Sequence, residues 1–292
     1  METTTLQLGL IGAGAMGSGM AAHLLRAGFA LQVYDLEAAR GEALVPLGAQ
    51  VAPSPRALVE ACDVILTSLP FSDVLVEVAE NDLLPHARPG QVFLDLGTVL
   101  TQAVQRLAEA FRKRGAAYLD CPVSGGPAGA RDGRLRIFVG GDRPTFTRIQ
   151  SILRTLGDPA RVVYCGPSGS GQMVKAVNQL GMGLFHAAMM EAVAFGTRAG
   201  MDPAVIDQAV GDAHGWRGGI SHVVRMLHAG QLERMDIKFN QLPDFLAEAS
   251  RHDIAMPLTT ALAAFCAGGE PVGWEDGLPT PSFWHELHHP RA

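Results

Sequence analysis

GLIGAGAMGSGM, residues 9–20, decides the fold. Gly12, Gly14 and Gly17 give the spacing G-x-G-x-x-G; the apolar run Leu6–Ile11 before it reads as a strand, and Met16–Gly28 after it reads as a helix. That context is what a dinucleotide fingerprint requires. The glycines permit a tight turn. They also let the main chain of Gly12, Ala13, Gly14, Ala15, Met16 and Gly17 approach a pyrophosphate, whose charge sits against the amides and positive dipole of the helix start. An acid about 20 residues further on completes the pattern, and here it is Asp35, ending the apolar run Ala30–Asp35. A carboxylate in that place accepts hydrogen bonds from both ribose hydroxyls and repels a 2′-phosphate, which favours NAD over NADP. Arg40, close by, leaves room for NADP, and Asp35 is also placed to cap a helix beginning near Glu37; the two roles are compatible.

Outward from this unit, short apolar runs alternate with helical periods. Cys62–Pro70, Gly90–Gly97, Ala116–Asp120, Arg134–Gly141 and Arg161–Gly166 read as strands, with helices over Thr101–Gly115 and from Pro144 to about Leu156. Nearly continuous apolar runs suit strands covered on both faces, and strand–helix alternation predicts an α/β Rossmann-type doubly wound parallel sheet. The alternation then stops. From about Ser168 to Gly200 the chain reads as one long, mostly apolar helix, followed by helices over Asp202–Ala213, near Pro243–His252 and near Pro257–Ala267. Asp202 is placed as an N-cap, with Pro203 in the first helical position. The tail from Gly268 reads as irregular. The expected organisation is therefore a NAD-binding Rossmann domain over 1–165 and an all-α substrate and oligomerisation domain over 166–292, opened by an interdomain helix at about 168–199.

A chain of 292 residues, 48% hydrophobic, can bury two cores of ordinary size. Its formal net charge of -6 argues against a nucleic-acid or anionic-membrane partner, either of which usually needs a basic face, and for a small molecule. Cys62, Cys121, Cys165 and Cys266 lie far apart with no C-x-x-C pair, so no zinc site or disulfide framework is expected and a reducing cytoplasm fits. No cationic stretch precedes an apolar one at the N-terminus, as a signal peptide would have. Lys175, His186 and Glu191 interrupt the long helix, which speaks against a membrane span.

Three further stretches bear on chemistry. In DCPVSGGPAGARDGRL, residues 120–135, Ser124 with Gly125 and Gly126 offers a hydroxyl and two unencumbered amides, a nest for a carboxylate; the same stretch also reads as a flexible linking loop. In GPSGSGQMVKAVNQ, residues 166–179, Lys175 stands among apolar residues in a chain whose only other lysines are Lys113 and Lys238. A desolvated lysine can titrate where an arginine cannot, and Asn178, three residues on, shares its helical face. The plain alternative is a stem lying along a packed surface with its ammonium in water. HELHH, residues 285–289, matches H-E-x-x-H, but Pro290 and the chain end follow at once, and no metal site is expected. His214, Trp216 and Arg217 read equally as substrate contacts or as surface packing.

The Gly12 loop with Met16, the DLGT stretch ending at Thr98, DCPVSGG, and GSGQMVKAVN occur in the order and at about the spacing seen in β-hydroxyacid dehydrogenases, and over roughly residues 6–265 the chain resembles that family, which includes 3-hydroxyisobutyrate dehydrogenase and tartronate semialdehyde reductase. The resemblance implies an NAD-dependent oxidoreductase interconverting a small β-hydroxy acid and its semialdehyde in a cleft between a Rossmann domain and a helical one. It implies that Ser124, Gly125 and Gly126 hold the substrate carboxylate, that Lys175 is the general acid/base with Asn178 orienting the substrate, and that Leu69, Pro70 and Thr98 line the cofactor. A homodimer or homotetramer is expected. One departure is that family members commonly carry a late Lys-Asp pair, whose positions fall here on Asn240 and Gln241, with Lys238 two residues earlier. Two alternatives stay open: imine reduction on the same architecture, whose relatives generally lack this lysine, and a non-catalytic NAD-binding sensor or scaffold.

Overall fold

A computed structural model describes residues 6–231, 241–266, 271–273, 279–281 and 283–288. It divides into two compact units, Met1–Lys175 and Ala176–Ala292. The first runs β1 (Gln7–Ile11), α1 (Gly17–Arg26), β2 (Ala30–Tyr34), α2 (Ala38–Glu42), β3 (Gln50–Val51), α3 (Pro55–Ala61), β4 (Val64–Thr67), α4 (Ser72–Val78), β5 (Val92–Asp95), α5 (Thr101–Lys113), β6 (Ala117–Asp120), β7 (Val123–Ser124), α6 (Gly126–Arg131), β8 (Leu135–Gly140), α7 (Arg143–Leu156) and β9 (Gly157–Gly166). The long helix α8 (Ser170–Arg198) begins in this unit and continues into the second, which holds α9 (Pro203–Val210), α10 (Gly215–His228), α11 (Leu242–Arg251), α12 (Pro257–Cys266), β10 (Pro271–Gly273), β11 (Pro279–Pro281) and α13 (Phe283–His288).

Polar side chains start several helices where the chain needs them. Ser54 accepts the Ala57 N–H at 3.1 Å, Asp142 that of Thr145 at 2.8 Å, and Asp202 that of Ala204 at 2.8 Å, with Pro203 in the first turn of α9 as read from the sequence. Each cap satisfies an amide that the first helical turn leaves without an internal partner.

The strand order is β3-β2-β1-β4-β5-β6, all parallel, which is the nucleotide-binding arrangement with its reversal between β1 and β4. Beyond β6 the sheet departs from the purely parallel expectation: β8 pairs antiparallel with both β6 and β7, and β9 pairs parallel with β8. Alternate residues feed two cores. Val64, Leu66, Val92 and Leu94 point to one, with Leu24, Ile149 and Leu153, while Ile65 and Phe93 point to the other, with Leu58, Leu107 and Phe111. Burial on both faces is why these strands are apolar throughout rather than alternating.

A third core, formed by Met190, Val193, Ile220, Val223, Val224, Leu262, Phe283 and Trp284 among others, holds the second unit. It corrects the reading of the tail as irregular. Phe283 and Trp284 are buried there, and that burial orders α13, while β10 and β11 form an antiparallel pair. By length and composition α8 is long and apolar enough to cross a membrane. Met190, Val193 and Ala194 nevertheless lie in the third core, so this stretch of the helix packs against protein.

Gly17 begins α1 directly over the Gly12 turn, and a Cβ added there would fall on the Gly12 carbonyl oxygen, a main-chain atom that cannot move aside without breaking the turn. Gly17→Ala is therefore expected to destabilise the fold by about 1–3 kcal/mol, the usual cost of overpacking a filled site. A thermal melt checks this: an unchanged Tm would mean that the helix is not seated so closely.

Candidate active site

The fingerprint turn is built from main chain. Gly12 has φ +95°, its N–H donates to the Tyr34 carbonyl at 2.9 Å, and a Cβ on it would strike the carbonyl of Ser68, so no other residue fits without strain. Gly14 differs: a Cβ there would meet nothing nearer than the Arg40 guanidinium at 3.7 Å. The outer side of the loop is thus open, and Ala15 beside it is exposed. Main chain bared at the start of α1 suits a pyrophosphate, and on this observation the residues fit a dinucleotide.

Asp35, immediately after β2, has a largely buried carboxylate, 8% exposed. Its Oδ2 accepts the Ala13 N–H at 2.7 Å and its Oδ1 the Glu37 N–H at 2.9 Å, while Arg40 lies 3.7 Å from Oδ1 and pairs with Glu37 at 2.8 Å. The helix that Asp35 was placed to cap starts at Ala38, with Glu37 in the capping position. Asp35 ties down the fingerprint loop through Oδ2 and holds the Glu37 N–H, just ahead of α2, through Oδ1.

The next loops follow β4 and β5. Leu69 and Pro70 lie just past Thr67, half-buried and exposed respectively, and a Cβ on Gly97 would come within 3.2 Å of the Leu69 carbonyl. Thr67 Oγ1 donates to Asp95 Oδ1 at 3.0 Å, and the Gly97 N–H donates to the same oxygen at 3.1 Å. Burial is the main cause that raises Asp95 from 3.8 to about 7, against the pull of those two donors. Its Oδ2 and the nearby Tyr118 hydroxyl are buried without a hydrogen-bond partner among the described residues.

From this loop a chain of buried polar contacts runs to the start of α8. Gln172 Nε2 donates to the Gly97 carbonyl at 3.0 Å and its Oε1 accepts the Val99 N–H at 3.2 Å, so the amide brackets Thr98. The Gln172 main-chain N–H donates to Asp120 Oδ2 at 3.0 Å, and the Gly169 N–H donates to Oδ1 at 2.8 Å. Asp120 is fully buried; desolvation raises its carboxyl and these amide donors pull it back. One turn on, Lys175 is 5% exposed and its Nζ donates to the Val123 carbonyl at 2.7 Å. The snorkelling alternative therefore fails, because the ammonium does not reach bulk water.

Val123 precedes Ser124, so the lysine is tied to the strand that carries the serine. Ser124 is half-buried, and Gly125 (φ +140°) and Gly126 (φ +61°) lead into α6. The alternative of a flexible linking loop is corrected: β7 and α6 order it, pinned by pairing with β8. Asp95, Asp120, Gln172 and Thr67 were not singled out from sequence. Their signal was there, in carboxylates ending two successive apolar strands and an amide within an apolar helix.

Asn178 lies on α8 in the second unit, its Nδ2 donating to Gln179 Oε1 at 3.2 Å, and Gln179 Nε2 donates to Gln241 Oε1 at 3.4 Å. Asn240 and Lys238 lie outside the described residues, as do His289 and the side chains of His285 and His288. Trp216 is exposed, with the Arg217 guanidinium 5.2 Å from its ring centre. Among the described residues no group of three His, Cys, Asp or Glu is placed to hold a metal.

A 3-2-1-4-5-6 sheet with a glycine turn after β1 and an acid at the end of β2 defines the class of dinucleotide-binding Rossmann proteins. Comparison with known proteins narrows it. Residues 7–166 match the NAD-binding domain of 6-phosphogluconate dehydrogenase, and residues 169–274 match the NAD-binding domain of NADP-dependent 3-hydroxyisobutyrate dehydrogenase. The 2-hydroxy-3-oxopropionate reductase of Escherichia coli is 35% identical over 88% of this chain and 85% of its own, and the NAD-dependent L-serine dehydrogenase of Pseudomonas aeruginosa 31% over 91% and 88%. The solved 3-hydroxyisobutyrate dehydrogenase of Mycobacterium tuberculosis superposes with a TM-score of 0.79 at 24% identity, over 99% of this chain and 100% of its own. The chain belongs to the β-hydroxyacid dehydrogenase family and is an NAD(P)-dependent hydroxyacid dehydrogenase.

Because Asp95 titrates near pH 7 when folded and near 3.8 otherwise, the folded chain holds a proton that the unfolded chain releases. Its contribution to stability is fully present below about pH 4 and is lost as the pH rises towards 7. Asp95→Asn, neutral throughout, should gain stability relative to the parent as pH rises from 4 to 8, read from urea midpoints; a difference that does not change with pH overturns this.

Proposed function

We propose that this enzyme interconverts a small β-hydroxy acid and its semialdehyde with NAD, using Lys175 as the general acid/base. The observation that carries the reading is the buried Lys175 amine, held 2.7 Å from the Val123 carbonyl beside Ser124. On this reading Ser124, Gly125 and Gly126 bind the substrate carboxylate through a hydroxyl and two unencumbered amides, and Asn178 orients the reacting oxygen. Gly12, Ala13, Gly14, Ala15, Met16 and Gly17 hold the pyrophosphate, Asp35 the ribose, and Leu69, Pro70 and Thr98 line the cofactor. The nicotinamide, when bound, takes or gives the hydride.

In the oxidative direction the hydroxyl proton passes to the Lys175 amine as the carbon–oxygen bond becomes double, and in reduction Lys175 returns it to the forming alkoxide. The alternating-face sheet over 1–165 would serve the cofactor and the helices over 166–292 the substrate and self-association. A homodimer or homotetramer is supported by the exposed apolar residues of the second unit, Val177, Phe195 and Leu258 among them. L-serine, 3-hydroxyisobutyrate and 2-hydroxy-3-oxopropionate, drawn from the names of the relatives, are the first substrates to try.

Two measurements test this. Lys175→Met should lower kcat by about 10²–10⁴, the usual contribution of general acid–base catalysis, with NADH still bound. Lys175→Arg should be nearly as damaging, since a guanidinium keeps its proton at working pH; an arginine variant retaining more than half of kcat, with chemistry rate-limiting, removes the proton-transfer role.

Cofactor choice is the second. With Asp35 facing the ribose, NAD should exceed NADP in kcat/KM by at least about tenfold, or about 1.4 kcal/mol. Asp35→Asn should narrow that gap. A preference for NADP in the parent enzyme would sink the assignment of Asp35.

A further inference from the structure

Gln172 stands three residues before Lys175 on α8, at i and i+3 on one face. Gln172 is 3% exposed and makes three hydrogen bonds through different atoms. Its side-chain oxygen and nitrogen hold Val99 N–H and the Gly97 carbonyl on either side of Thr98, and its main-chain N–H holds Asp120. Bonds in three directions oppose sliding or rotation of the helix start. A Cβ on Gly171 would come within 2.8 Å of both the main-chain oxygen and a carboxylate oxygen of Asp120, so the turn is seated hard on the ends of β6 and β8. The loop that Gln172 grips is fixed from its other side, by Asp95 on Gly97 and Thr67.

We propose that Gln172 is a positioning residue that sets the register between the Gly97–Val99 loop and the Lys175 amine, so that the loop lining the cofactor and the group moving the proton act as one rigid piece. The proposal rests on the reading of Lys175 as general acid/base. A main-chain cap alone would anchor the helix; the side-chain amide adds nothing to that anchoring, because Asp120 accepts from main-chain N–H groups that every residue but proline supplies. What the amide adds is a two-point grip on a loop more than 70 residues away in sequence, with a donor on one side and an acceptor on the other. Only Gln, with one of each at the end of a two-carbon stem, meets Gly97 and Val99 together from this position. A misplacement of about 1 Å between reacting groups costs on the order of 10²-fold in rate, which makes this grip a matter of kcat rather than of binding.

The experiment is a double-mutant cycle on the full-length enzyme, with whichever of L-serine and 3-hydroxyisobutyrate turns over fastest as substrate and NADH titration as the binding measure. Gln172→Leu removes both side-chain bonds, and Gln172→Glu keeps the acceptor for Val99 while losing the donor to Gly97. Expected is a fall in kcat of about 10–100-fold for the leucine variant and a smaller fall for the glutamate variant. The acid's KM and the NADH Kd should stay within about threefold. On a Lys175→Met background Gln172→Leu should change kcat by less than about twofold, because the group it positions is gone. Should the leucine variant fail to fold, the glutamate variant is read in the same cycle. Losses that multiply with that of Lys175→Met, an NADH Kd that rises in step with the loss of kcat, or kcat within twofold of the parent in both variants would overturn the proposal while leaving the lysine's role standing. A Lys175→Met variant with parental kcat would instead sink the reading of the lysine, and the proposal with it.

Discussion

The carboxylate of Asp120 is the constraint on which the site depends. It is fully buried at the end of β6, where an uncompensated charge would be prohibitive, and the amides of Gly169 and Gln172 are the largest of the main-chain donors that compensate it. Those amides belong to the chain entering α8. The requirement that a buried acid find donors therefore decides where the helix begins and which way it is turned, and from that follow the bracket on Thr98 and the lysine's contact with Val123. Stretches read separately in the sequence, ending at Thr98, spanning Ser124 and spanning Lys175, become one assembly through hydrogen bonds.

The glycines around this assembly do two different jobs. At Gly12, Gly17 and Gly171 the space a side chain would fill is taken by main chain, which lets helices begin unusually close to strand ends. At Gly14 and Gly126 that space is open, apart from Arg40 at 3.7 Å from the former. In the first group main chain fills the space; in the second the main chain is left uncovered, although Gly126 at φ +61° still needs a glycine's backbone freedom. A sequence shows the same letter in both cases, which is why only the pattern around each glycine, and not the glycine itself, carries information.

Most of the Rossmann sheet was legible because its signals are local: β1, the Gly12 turn and α1 are contiguous, and strands buried on both faces announce themselves as unbroken apolar runs. Long-range polar bonds are not local. Asp95, Asp120 and Gln172 gain their meaning from partners 28 to 75 residues away, and nothing in the neighbouring letters names those partners. The tail failed for a related reason. Phe283 and Trp284 lie in a stretch rich in proline and glycine, and their order comes from the third core, which a local reading does not contain. The antiparallel β7 escaped notice because two residues are too few to show a period.

The pairing of Asp120 with Gly169 and Gln172 also bears on how separable the two halves of the chain are. A fragment ending at Cys165 keeps nearly every strand of the sheet, yet it leaves that buried acid without either amide, since both come from residues 169–172. During synthesis the same situation holds for a time: the sheet is complete as far as β9 before the segment whose amides bond the buried Asp120 carboxylate has been made. The nucleotide-binding half is thus not a free-standing cassette that ends where its last strand ends. Any transplant, truncation or circular permutation that respects the molecule has to carry the first turns of α8 with the sheet.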